Sequence, residues 1–90
     1  MMNIEELRKR AVALERELQN AASQSHQVAA FANYEPLVSA INRAKAGEIN
    51  EPEEIPGMYH WHFETGIFWE HKIMAEAFSR FSLLLSGLQG

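Results

Sequence analysis

The chain reads as all-α, a small antiparallel bundle of three to four helices. Two observations carry that expectation: apolar residues recur at steps of three and four in separate stretches, and two of the three prolines fall together in one short connection. A third observation is negative. Strand-like alternation occurs only in Tyr59-His60-Trp61-His62-Phe63, and five residues without a partner strand cannot make a sheet. Residues 1–90 form a single domain, because chains divide into separate cores only at roughly 250 residues and above.

The first helix is set by Ile4, Leu7, Ala11, Leu14, Leu18 and Ala21, which fall along one side of a helical wheel. Asn3, with Glu6 three residues later, can cap its start, and Glu5 with Lys9 and Glu6 with Arg10 lie one turn apart in acid-first order. The stripe weakens through Ser23-Gln24-Ser25-His26-Gln27 before Val28 and Phe31, so residues 3–32 form either one helix or two. Pro36 suits a first turn, where its missing N–H costs nothing. Leu37, Ala40, Ile41 and Ala44 then share a face until Gly47, which predicts a helix near 35–46. From Gly47 to Gly57 two prolines and two glycines predict a flexible, exposed loop. Beyond it Phe63, Ile67, Met74, Phe78, Phe81 and Leu85 recur at helical intervals, interrupted only by Gly66, which costs about 1 kcal/mol relative to alanine. Residues 58–85 are therefore expected to be the main donor to the core.

Composition narrows the function classes. Eight basic and twelve acidic side chains leave a net charge of -4, which repels a phosphate backbone on average, so no nucleic-acid partner is expected. The absence of cysteine removes disulfides, thiolate metal sites and cysteine nucleophiles. No stretch approaches the roughly 18 apolar residues of a membrane span, and the charged start lacks the apolar run of a leader. The expectation is a soluble, cytoplasmic protein without membrane contact.

Chemistry, if present, belongs between Tyr59 and His71, which hold three of the four histidines and both tryptophans. On a continuous helix His60, Glu64 and His71 would share one side and offer nitrogen and oxygen ligands to zinc or iron. One helix cannot close that site, since the two imidazoles would stand about 16 Å apart along the axis. The first helices add only His26 and glutamates without a Glu-x-x-His pair. The plainer reading is a set of amphipathic histidines beside a tryptophan-rich core edge. Serines occur at 23, 25, 39, 79, 82 and 86, but there is no Gly-x-Ser-x-Gly turn, no aspartate to orient a histidine and no glycine-rich phosphate cradle. No catalytic residues and no cofactor are assigned, and the chain is not expected to be an enzyme.

Binding is better supported. Glu48, Glu51, Glu53 and Glu54 crowd one loop, and no lysine or arginine occurs between Lys45 and Lys72. Residues 1–30 are neutral, 31–60 carry -3 and 61–90 carry -1, so the excess charge is local and could steer a basic partner. A merely solvated loop would show the same charge. Met58, Tyr59, Trp61, Phe63, Phe68 and Trp69 spread around the helix, and so small a bundle cannot bury every side of it. Met58, Tyr59, Trp61 and Trp69, with the four loop glutamates, are the expected contact residues, against the competing reading that these rings pack within the chain.

Tyr34-Glu35, then Ser39-Ala40-Ile41-Asn42, Gly66-Ile67-Phe68 with Glu70, and Ala75-Glu76-Ala77-Phe78 together resemble the small helical immunity proteins that neutralise type VI secretion effectors in proteobacteria. The chain departs from that pattern at Arg43-Ala44, where a Gln-Leu pair is expected, and in lacking an aspartate-proline entry to the last helix. The resemblance implies an all-helical cytoplasmic antidote that binds a cognate toxin or effector domain and occludes its active site. Rival readings stay open: a phage or mobile-element inhibitor of a host defence system, a metal- or ligand-binding bundle centred on His60, Glu64 and His71, and a homodimer formed through the seam of the first helix.

Overall fold

Asn3 begins the first helix, α1 (Ile4–Ala22), by accepting a hydrogen bond on its side-chain oxygen from the Glu6 amide at 3.0 Å. The computed structural model describes residues 2–87. Its helices continue as α2 (His26–Ala32), α3 (Glu35–Lys45), a π-helical turn at His60–Glu64, α4 (Ile67–Glu70) and α5 (Lys72–Leu85), with no strand among the described residues. The fold is all-α. Among the described residues no helix is long and apolar enough to cross a membrane.

The question of one helix or two over residues 3–32 is settled in favour of two. Ser25 turns extended and its hydroxyl accepts from the Val28 amide at 3.2 Å, so it caps a new helix where the stripe weakened. Acid–base pairing in α1 follows expectation for Glu6 with Arg10 at 3.2 Å, whereas Glu5 takes Arg8 at 2.9 Å in place of Lys9. Helix α3 ends as its sequence predicts. The Gly47 amide donates to the Ala44 carbonyl and the Glu48 amide to the Arg43 carbonyl, a Schellman closure with Gly47 at φ +73°. A Cβ there would meet only the movable end of the Arg8 side chain at 2.8 Å, so it is the left-handed backbone of the turn that requires glycine.

Helix α1 is the shared partner of the fold, packing against α2, α3 and α5 within an envelope of 35 × 22 × 22 Å. Leu7, Ala11, Leu14, Leu18 and Ala21 are buried on it as expected, while Ile4 at the end of the stripe stays partly exposed. Phe31 is fully buried and gathers Trp61, Phe68 and Phe78 around it at centroid separations of 5.0, 5.5 and 5.7 Å. These tilted and edge-on contacts suit the ring quadrupoles.

Two expectations require correction. Residues 58–85 do not form one helix: Thr65 is extended, its hydroxyl donates to the Trp61 carbonyl at 2.8 Å, and Gly66 then starts α4. The main donor to the core is therefore α5, and Phe63, placed on the apolar stripe by continuous periodicity, is 73% exposed. The loop is also tethered along its length. Ile49 is buried, the Glu53 amide donates to the Leu85 carbonyl at 3.0 Å, and the Tyr34 hydroxyl donates to the Pro56 carbonyl at 2.7 Å. Gly57, at φ +76°, makes room for that phenol, since a Cβ would fall on the Tyr34 hydroxyl.

Candidate functional site

The π-helical turn sorts its side chains by direction. Trp61 is half-buried, with its ring 5.0 Å from Phe31 and 5.6 Å from Tyr34, and Met58 also packs against the core. His62 lies nearly parallel to Phe68, at 4.6 Å and 27°, and edge-on to Phe78. Facing outward, Tyr59 and Phe63 pair their rings at 5.0 Å while remaining 71% and 73% exposed. His60 meets Glu64 at 2.9 Å on the exposed side. A π turn is an uncommon conformation that recurs at functional sites.

Beyond the Thr65 break, Trp69 is 81% exposed on α4 and Ile73 is 72% exposed at the start of α5. Four large apolar side chains between residues 59 and 73 thus lie mostly in solvent. Residues 46–71 add six glutamates and no lysine or arginine. Of the four expected contact side chains, Tyr59 and Trp69 are exposed, whereas Trp61 and Met58 are partly buried against the core. Phe63 and Ile73 are exposed to a similar degree as Tyr59 and Trp69. The signal for Ile73 was available, because it precedes Met74 and so falls off the Met74, Phe78, Phe81 stripe; Phe63 required knowledge of the break at Thr65-Gly66.

The four loop glutamates also divide. Glu48, Glu51 and Glu54 are exposed, whereas Glu53 receives two hydrogen bonds from Arg43, at 2.7 and 2.8 Å. Those bonds hold the Glu53 carboxyl below its ordinary value, against a smaller opposing effect of burial, and raise Arg43. Glu53 is thus a tether of the loop to α3.

The metal arrangement loses its premise with the continuous helix. His60 and Glu64 meet each other, but His71 lines a different depression with Glu17, Gln24 and Ile73. Among the described residues no three of histidine, cysteine, aspartate or glutamate are grouped as a metal site would need. Comparison with models of known protein families, with curated proteins and with solved structures finds no match.

Proposed function

We propose that the chain is a protein-binding module of the immunity or antitoxin type, which covers a cognate toxin or effector domain and performs no chemistry of its own. The observation that supports this reading is the solvent-facing set Tyr59, Phe63, Trp69 and Ile73, each between 71% and 81% exposed, the first three of them inside residues 46–71, a span with six glutamates and no lysine or arginine. Large apolar side chains held in water lose the favourable free energy of burial, roughly 1.5–3 kcal/mol each, unless a partner covers them. Aromatic residues supply much of the affinity of protein interfaces, and an anionic surround selects a partner with a basic face and speeds its approach.

Occlusion then follows from shape and charge. A toxin acting on a phosphate-bearing substrate presents a basic rim, and this surface would compete for it with carboxylates while its rings exclude water. The test is to mix the purified chain with the toxin domain encoded beside it and to follow complex formation by calorimetry. The expected result is a one-to-one complex with submicromolar Kd and loss of toxin activity; absence of binding at micromolar concentration would overturn the assignment.

A further inference from the structure

A cleft of about 280 Å³ opens between the loop and the C-terminal half of α5. Ile55, Met58, Phe78 and Leu83 give it apolar walls, and His62, Ser82 and Ser86 also line it. Three features suit it to a cation. Glu54 lines it, an exposed residue whose carboxylate has no hydrogen bond or ion pair among the described residues. The last turn of α5, which borders it, carries no basic residue. No lysine or arginine lines the cleft, and the nearby cation Arg43 is engaged by Glu53.

The volume falls just below the roughly 300–1,000 Å³ typical of small-molecule sites, which suits one side chain better than a metabolite. An occupant must offer an apolar stem to the walls and a positive head to Glu54. Arginine meets both needs. Its guanidinium is more weakly hydrated than an ammonium, can pair with a carboxylate through two parallel hydrogen bonds and can stack on a flat ring such as that of His62. We infer that this cleft receives an arginine side chain from the partner protein, an inference that rests on the reading of the chain as a protein-binding module.

The test uses N-acetyl-L-arginine amide as probe and N-acetyl-L-citrulline amide as its uncharged isostere, followed through methyl resonances at pH 8, where an ordinary imidazole is uncharged. The arginine probe should shift the Ile55, Met58 and Leu83 methyls at least threefold more than citrulline does, and Glu54→Gln should at least halve that shift. Equal shifts from both probes, no shift, or a response unchanged in Glu54→Gln would overturn the assignment. In the complex, Glu54→Gln should weaken partner affinity about fivefold. If it leaves affinity intact while Trp69→Ala lowers it, the binding reading stands and the arginine cleft fails. If the arginine probe binds but the partner does not, the cleft stands and the proposed function fails.

Discussion

Trp61 and Trp69 belong to one short aromatic stretch yet meet opposite environments. The indole of Trp61 packs between Phe31 and Tyr34, while that of Trp69 is 81% exposed. Substituting each with alanine should separate stability from recognition. Trp61→Ala is expected to lower unfolding free energy by about 2–3 kcal/mol, at or below the low end for aromatic truncation because the ring is only half-buried. Trp69→Ala should leave stability within about 0.5 kcal/mol and weaken partner binding by about 2 kcal/mol or more, roughly thirtyfold. Urea denaturation and calorimetry on both variants check this, and an inverted pattern would contradict the assignment of faces. Composition made the aromatic richness of this stretch plain but could not assign directions. Those depend on Thr65, whose extended backbone and bond to the Trp61 carbonyl end the helical phase on which the sequence reading relied.

At the scale of elements, the helices with their own start and stop chemistry were legible. Asn3, Pro36 and Gly47 mark ends that the structure reproduces, because capping depends on residues adjacent in the chain. The order of the loop is not legible in its own sequence because its restraints come from distant residues: Tyr34, Arg43 and the end of α5. Its Arg43–Glu53 tether has a pH signature. Since the Glu53 carboxyl is held below its ordinary value of about 4.3, the pair stabilises the fold above that pH, and the contribution is lost as pH falls through the lower folded value. Both side chains are about one-third exposed, so the effect is limited to about 1 kcal/mol. Glu53→Gln should therefore be less stable than the native chain by up to that amount at pH 7, and the difference should vanish near pH 2. Urea midpoints across that range measure it, and a gap that persists in acid would show that the tether does not act through this charge.

For the molecule as a whole, the all-α class followed from periodicity because every major helix buries one stripe, and α1 joins three of the others through its own. The break into six helical segments among the described residues is less legible, since Ser25 and Thr65 act through side-chain hydrogen bonds to nearby backbone that leave little trace in hydropathy. Under the proposed function, recognition falls on the part of the chain that holds the most exposed apolar side chains and half of the glutamates. A standard interface of about 800 Å² on this side would occupy about one-seventh of its 5645 Å² surface, an area that a small patch can supply. Hydrogen exchange of the chain, free and in complex with its partner, tests the central claim most directly. Protection is expected over residues 53–73 and the end of α5, with α2 and the first half of α3 unchanged. Protection centred on α2 and α3, with residues 59–73 exchanging as in the free chain, would contradict it.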